Sequence, residues 1–269
     1  MKNERKNSSK VLILILVMMG AFGVMGGGLV APGLPTIGNA FNVPEEQEGL
    51  ILSIYTLSAA LALPLIGYLI DHIGRREIGI GCLLLDGSAG LAIIFSPNFS
   101  ILLLLRFLQG IGIAGLVPVA MTVIGDIYSG KNRLKIMGYL SGTISLGAAV
   151  IPLLGGYLAS IDWTLIFVIY GFSLVLALLL FYRLPETSSD SMMEKKNSQS
   201  VIGYLISLFK VFKIKKIRNI MIHSFMLYFL LYALVTYLPI FLVRIHEFDE
   251  IFNGLEGDRQ KPSSVQGGG

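Results

Sequence analysis

The decapeptide Gly67-Tyr-Leu-Ile-Asp71-His-Ile-Gly74-Arg75-Arg76 closes the second of seven long apolar stretches in this 269-residue chain. A membrane-spanning helix needs about 20 mostly apolar residues to cross roughly 30 Å of hydrocarbon. We therefore predict seven spans, at residues 11–31, 49–70, 77–96, 99–124, 134–158, 163–183 and 219–243. Charged residues make up 14% of the chain and fall almost wholly between these stretches. The sequence thus predicts an all-α membrane protein.

The basic residues between the predicted spans indicate the orientation of the chain. Four precede span 1, two lie between spans 2 and 3, three between spans 4 and 5, and eight from Arg183 to Arg218, whereas the alternate loops have none. Because Lys and Arg are held on the cytoplasmic side, we expect a multi-pass protein of the cell membrane with a cytoplasmic N-terminus. The net charge of +4 then reflects topology, and nucleic acid is not an expected partner.

The cysteine content of the chain excludes two kinds of structural site. Cys82, inside span 3, is the only cysteine, so an intramolecular disulfide and a cysteine-based metal cluster are ruled out. We expect no metal and no cofactor. The chain also has no Ser-His-Asp set, His-rich cluster or phosphate loop in its sequence, which argues against an enzyme.

The predicted spans divide the chain into four parts. Residues 1–186 form an N-terminal six-helix half, 187–218 a cytoplasmic linker, 219–243 the seventh span and 244–269 a polar tail. In the linker, apolar residues recur at helical spacing from Val201 to Phe212 beside several lysines. This pattern fits either an amphipathic helix on the anionic inner leaflet or an ordinary basic loop. The tail contains no eighth span, and its Gly- and Ser-rich end resembles an out-of-frame or added sequence, so we expect a chain truncated after helix 7.

The decapeptide after span 2 resembles the loop signature of the major facilitator superfamily, in which Gly, Asp, Gly and two basic residues join helices 2 and 3. The resemblance implies a six-helix half of that fold and a conformational lock on the cytoplasmic side. We expect Gly67 to allow close helix contact and Gly74 to adopt the left-handed conformation that ends a helix. The lock residues implied in this way are Gly67, Asp71, Gly74, Arg75, Arg76, Asp126 and Arg133. The alternative is a loop with ordinary solvated charges.

Two charged residues, Asp86 and Arg106, lie well inside predicted spans, away from the span ends. The segment from Arg106 through Gln109 to Gly115 resembles the superfamily's helix-4 pattern, which implies a role for Arg106 in proton coupling and for Gln109 in coupling or cavity lining. The alternative is that Arg106 snorkels or binds backbone carbonyls. Asp86 falls at the middle of span 3, where an ionised carboxylate is costly. It is either a protonation site or a hydrogen-bonded structural residue.

Span 5 carries a further match, Gly147-Ala-Ala-Val-Ile151-Pro152-Leu-Leu-Gly155-Gly156. It resembles the superfamily's antiporter signature, which is associated with export, but Ile151 replaces the second glycine of that pattern. Pro152 removes one helix hydrogen bond, while the glycines permit close helix packing. Weaker matches in the same order are Pro32 to Ile37 and Pro185-Glu186-Thr187.

The resemblance implies a secondary active transporter that works by alternating access. We expect proton-coupled efflux of a small organic solute, with solute, protons and the lipid bilayer as partners, together with a C-terminal half or a second copy of the chain. Tyr232 and Tyr237 of span 7 are expected to line the cavity, although aromatic packing is an alternative. The rival functions are an uptake carrier and a membrane fragment or packing subunit that transports nothing.

Overall fold

The computed structural model describes residues 2–184, 201–227 and 229–230, and within these ranges all regular secondary structure is helical. The α-helices are Lys2–Gly28, Leu34–Ala40, Glu45–Glu48, Leu50–His72, Arg75–Ala92, Phe99–Ile113, Leu116–Ile127, Gly130–Ile161, Trp163–Val168, Gly171–Arg183 and Val201–Val211. Short 3₁₀ turns lie at Ala31–Gly33 and Ile93–Phe95. Residues 215–227 are also helical. The predicted all-α class is therefore confirmed.

Six of these helical segments are long and apolar enough to cross a membrane. We call them spans 1 to 6; they are Lys10–Ala40, Glu45–His72, Arg75–Phe95, Phe99–Ile127, Gly130–Ile161 and Trp163–Arg183. They agree in number and order with the first six predicted spans. Span 7 stays a prediction, because most of residues 219–243 lies outside the described residues, as do Tyr232 and Tyr237.

The ends of the spans follow from local sequence signals. The Asn98 side chain accepts a hydrogen bond from the Ile101 N–H at 3.0 Å and so caps the start of span 4. Asp162 caps span 6 through the Thr164 N–H at 2.8 Å. Span 1 runs nine residues past its predicted end at 31, because Pro32 occupies the first turn of a 3₁₀ segment that leads into the helix Leu34–Ala40.

Spans 1 and 4 form the centre of the bundle. Span 1 packs on spans 5 and 4, span 4 packs on spans 2 and 3, and span 3 packs on span 6. Large apolar side chains cover the outside, among them Leu61 of span 2, Leu153 of span 5 and Leu178 of span 6, each more than half exposed. Such an apolar exterior fits a bundle surrounded by lipid.

The chain separates into two compact units, residues 1–204 and 205–269. The first contains the six spans and Tyr204. In the second, the structure describes the end of the helix at Val211 and the helix at 215–227. The segment Val201–Val211 is thus helical, as the amphipathic alternative requires, whereas its position on the inner leaflet stays a prediction.

Candidate functional site

Arg106 lies about two turns from the start of span 4, with its side chain fully buried. Its guanidinium carbon is 5.3 Å from the centre of the Tyr55 ring of span 2 and 5.1 Å from that of the Phe167 ring of span 6. Two aromatic faces thus flank the cation, an arrangement that stabilises positive charge away from water. The side chain does not snorkel to the bundle surface.

Gln109 is the direct hydrogen-bond partner of this cation. The Arg106 Nη1 donates to the Gln109 Oε1 at 2.9 Å, and the amide is fully buried. The three-residue spacing on one helix places both side chains on the same face. Within the described residues, the Arg106 Nε and Nη2 and the Gln109 Nε2 lack a hydrogen bond of good geometry. The pair therefore retains donors for another acceptor.

Asp86 of span 3 lies fully buried between spans 4 and 6. Ser173 of span 6 donates its hydroxyl hydrogen to the Asp86 Oδ2 at 2.6 Å. Span 4 approaches the backbone of Asp86 closely at Gly112, where a Cβ would lie 2.6 Å from the Asp86 nitrogen. The carboxylate thus occupies a tight helix contact, and its Oδ1 has no partner in the described part of the chain.

These side chains form one group. Asp86 lies close enough to Gln109 and Arg106 to interact with both. Tyr170 of span 6 adjoins Arg106 and donates its hydroxyl hydrogen to the Met25 carbonyl of span 1 at 3.2 Å. We call Tyr55, Asp86, Arg106, Gln109, Tyr170 and Ser173 the central polar cluster. Five spans meet at this cluster, which holds one acidic and one basic group away from water.

A second group, the loop charge cluster, consists of Arg75, Arg76, Asp126 and Arg133, whereas Asp71, the remaining charge of the predicted lock, lies at the end of span 2 near Tyr204. The Arg75 Nε lies 3.0 Å from the Asp126 Oδ2, so an ion pair joins the start of span 3 to the end of span 4. The Arg76 Nη2 donates to the Phe181 carbonyl at 2.6 Å, and its guanidinium lies 4.8 Å from the Phe181 ring centre. The Arg133 guanidinium adjoins Gly125. The cluster therefore ties spans 3, 4, 5 and 6 together at one end.

One glycine of the loop signature, Gly74, differs from its expected geometry. Gly74 has φ 138° and ψ 155°, a positive-φ conformation that glycine adopts freely, but not the left-handed helical one. Ile73 ends the helix with ordinary helical angles, so Gly74 instead starts the next helix. A Cβ at Gly67 would meet only the Tyr204 hydroxyl, at 3.2 Å, so the described neighbour of Gly67 lies outside the six spans.

Tyr204 connects the segment after span 6 to the loop signature. Its ring packs edge-on against the Tyr68 ring, with centres 5.4 Å apart. Partial burial, and secondarily the nearby Asp71 charge, raise the pKa of the Tyr204 hydroxyl. Tyr204 therefore lies against the end of span 2 that carries the signature.

The signature of span 5 brings that span against span 1. A Cβ at Gly155 would overlap the Leu29 carbonyl, and the Cβ position of Gly156 lies 3.6 Å from Pro32. The Cβ position of Gly28 is likewise 3.6 Å from both Pro152 and Ile151. Ile151 thus fills the space that a smaller residue would leave beside Gly28, while Gly147 contacts the Ile151 side chain.

Sequence reasoning missed four residues that form or adjoin the central polar cluster: Tyr55, Phe167, Tyr170 and Ser173. Serine and aromatic residues are common in membrane helices, and only the pairing of the spans reveals which of them reach a buried charge. Within residues 2–184, 201–227 and 229–230, no group of three or more His, Cys, Asp or Glu side chains could hold a metal ion.

Comparisons with known proteins agree on one family. The sequence profile of the Major Facilitator Superfamily matches residues 13–257. The bacillibactin exporter of Bacillus subtilis is 33% identical over 171 residues, which cover 61% of this chain and 40% of the exporter. The class H tetracycline resistance protein of Pasteurella multocida is 32% identical over 184 residues, covering 66% of this chain and 45% of that protein. The chain thus spans less than half the length of these relatives.

Solved structures show the same fold. A bacterial homologue of the human lysosomal transporter Spinster, inward-facing and unoccupied, matches with a TM-score of 0.65 and 23% identity, covering 89% of this chain and 56% of that one. A proton:xylose symporter bound to 6-bromo-6-deoxy-D-glucose matches with a TM-score of 0.59 and 15% identity, covering 78% of this chain and 53% of the symporter.

Proposed function

The chain belongs to the major facilitator superfamily, a family of transporters and not of enzymes, and from this premise we propose that it takes part in proton-coupled export of a small organic solute. In this proposal the chain supplies a six-helix half that moves against a second half in alternating access. It lies in the plasma membrane with its N-terminus in the cytoplasm. The name of one relative, the bacillibactin exporter, supports export as the direction.

The central polar cluster is the observation that carries the proposal. A fully buried cation such as Arg106 is costly without a compensating negative charge. With Asp86 ionised the two charges compensate, whereas a proton on Asp86 leaves the cluster with one net positive charge. Binding and release of that proton therefore change the electrostatic free energy of the buried cluster. We assign proton binding to Asp86, charge sensing to Arg106, and the link between them to Gln109.

Ser173 positions the carboxylate in this scheme. Its hydroxyl donates to the Asp86 Oδ2 at 2.6 Å, so the Oδ1 stays available to a proton or to Gln109. When Asp86 is protonated, the carboxyl can donate in turn, and the hydrogen bonds between spans 3 and 6 rearrange. Through this rearrangement, proton binding at Asp86 changes how spans 3 and 6 pack against each other.

The loop charge cluster is assigned to the conformational lock. Its ion pair and its hydrogen bond to the Phe181 carbonyl are local contacts that a change in helix packing can break and remake. The span 5 signature, through Gly147, Pro152, Gly155 and Gly156, is assigned to packing between spans 1 and 5. Tyr232 and Tyr237 remain proposed cavity residues in span 7.

Transport in everted membrane vesicles tests the proposal. The chain is expressed alone and joined to the C-terminal half of the bacillibactin exporter, and uptake of tetracycline and a panel of fluorescent dyes is driven by an acid-inside gradient. We expect gradient-dependent uptake of at least one solute by the joined protein. In that protein Asp86→Asn should retain solute exchange without a gradient but lose stimulation by it, and Arg106→Ala should lose both.

The lone cysteine supplies the control for folding. Cys82 is buried, so in a joined protein whose added half has its cysteines replaced by serine, the Cys82 thiol reacts with a maleimide only after unfolding. A folded joined protein that moves no solute, or one whose Asp86→Asn variant responds fully to the gradient, would contradict the coupling mechanism. Equal flux from the short chain alone would contradict the need for a second half.

Single cysteines in a Cys82→Ala background test the orientation. Glu46 lies in the first turn of span 2, and Ser129 lies between spans 4 and 5; both are exposed. Glu46→Cys should react with an impermeant thiol reagent added to intact cells, and Ser129→Cys should react only after permeabilisation. The reverse pattern would overturn a cytoplasmic N-terminus.

A further inference from the structure

A continuous groove runs along the bundle between spans 1 and 5, from the end where both begin. Its first part encloses about 430 Å³ beside Lys10, Lys135, Asn132 and Tyr128. Its second part encloses about 500 Å³ beside Leu14, Val17, Gly138, Gly142 and Leu146. Lys10, Ile13 and Tyr139 line both parts. The groove is therefore basic at its mouth and apolar along its length.

We propose that this groove binds an anionic phospholipid. The phosphate of the headgroup lies between Lys10 and Lys135, and one acyl chain follows the face of span 5 along Gly138 and Gly142. This site goes beyond the proposed function, since no step of solute transport or proton coupling requires it.

The charge at the mouth favours an anion. Lys10 and Lys135 form no ion pair with a carboxylate in the described part of the chain. The Lys135 Nζ lies 5.8 Å from the centre of the Tyr139 ring, so the ring holds the ammonium group at the edge of the groove. Basic groups at a membrane surface attract anionic headgroups, and Tyr is favoured at the same depth.

The length and floor of the groove favour a lipid over a soluble anion. From Lys135 to Leu146, eleven steps along the helix, span 5 rises about 16 Å, which is about half of the roughly 30 Å hydrocarbon thickness and so matches one leaflet. No atom lies within 4 Å of a Cβ built at Gly138 or Gly142. A flexible acyl chain can therefore lie directly against the backbone of span 5, where Leu146 remains 66% exposed.

Fluorescence quenching by brominated lipids tests the site directly. Trp163 is the only tryptophan of the chain, so Trp163→Phe with Leu14→Trp places a single fluorophore in the groove. In phosphatidylcholine nanodiscs, brominated phosphatidylglycerol should quench at about a fivefold lower mole fraction than brominated phosphatidylcholine, or lower still, since each lysine near the surface contributes about fivefold. Equal quenching by the two lipids would overturn the proposal.

Matched variants test which residues give the groove its preference for phosphatidylglycerol over phosphatidylcholine. Lys10→Gln with Lys135→Gln should abolish it, whereas Lys131→Gln with Lys213→Gln, exposed lysines outside the groove, should keep it. Gly142→Leu should reduce quenching by both lipids, whereas Gly81→Leu, where a Cβ also meets open space, should not. A preference that survives the first double variant overturns the proposal.

Two measurements on the protein with only the fluorophore substitutions complete the test. High salt should remove most of the preference, because the headgroup contacts lie at the surface. Addition of tetracycline or inorganic phosphate should leave the quenching unchanged. Relief of quenching by either soluble compound would assign the groove to a transported or free anion instead of a lipid.

Discussion

The central polar cluster and the loop charge cluster each pair an arginine with an aspartate, yet they differ in access to water. Asp86 and Arg106 are fully buried, whereas the Arg75 and Asp126 side chains are 9% and 35% exposed. In the buried cluster an unpaired charge is costly, because the interior cannot solvate it. In the loop cluster, water reaches the Asp126 carboxylate and screens the pair from that side, so we expect the pair to contribute less to stability than the buried charges do. Similar ionic contacts can therefore serve coupling in one region and a reversible lock in the other.

Removal of the buried cation should give the largest effect. Arg106→Leu leaves the Asp86 carboxylate buried without its compensating charge, a change that costs about 3 to 5 kcal/mol in buried pairs. We expect a larger fall in the thermal midpoint than Gly112→Ala or Asp126→Asn causes, read from the reaction of the Cys82 thiol with a fluorescent maleimide.

A second substitution at the partner is the control for that result. Arg106→Leu with Asp86→Leu removes both charges and should regain much of the lost stability. A single variant as stable as the parent, or a double variant no better than the single one, would show that the two charges are not energetically coupled.

The close contact between spans 3 and 4, beside the central polar cluster, should give the second-largest effect on stability. Gly112→Ala would place a Cβ 2.6 Å from the Asp86 nitrogen and 2.8 Å from the Cys82 carbonyl, both backbone atoms that cannot rotate away. Overpacking of this kind costs about 1 to 3 kcal/mol. Gly81→Ala meets open space and should stabilise span 3 by up to about 1 kcal/mol through helix propensity. The two substitutions should shift the thermal midpoint in opposite directions; shifts in the same direction would contradict the described contact.

The loop charge cluster should respond weakly. Asp126→Asn removes the ion pair with Arg75, which we expect to be worth about 0.2 to 1 kcal/mol given its exposure. The thermal midpoint of the parent should fall slightly as salt rises, and that of the variant should not. If Asp126→Asn lost as much stability as Arg106→Leu, the two clusters would not differ in their contribution to stability.

The exposed carboxylate of Asp162 gives the smallest expected effect. The Thr164 N–H and hydroxyl donate to it at 2.8 and 2.7 Å, and these hydrogen bonds lower the pKa of Asp162. A lowered folded-state pKa gives stability that is present above the unfolded value, about 3.9, and is lost as the pH falls below it. Thermal midpoints measured from pH 5 to pH 3 should therefore fall slightly more for the parent than for Asp162→Asn. Parallel curves would show that the cap adds no pH dependence.

The sequence predicted the spans better than it predicted their contacts. Twenty-residue apolar runs determine that a helix crosses the bilayer, and the six confirmed spans lie near their predicted positions. Which spans pair depends on packing distant in sequence, so the contact between Asp86 and Ser173, 87 residues apart, had no sequence signal. The contact of Gly67 with Tyr204, on the helix Val201–Val211, likewise had no sequence signal. Arg106 and Gln109 were predicted together because helical spacing alone places them on one face.

The contact of Gly155 with the Leu29 carbonyl has a mechanical consequence. With no side chain between the two backbones, spans 1 and 5 cannot slide past each other without a steric clash, so they should move as a single rigid body. Nitroxide labels at Ala31 and Leu153, both exposed, would then give one narrow distance distribution, unchanged by pH or by added solute. The distance between these two labels would then be a fixed reference, with which changes in other label distances in the molecule can be compared.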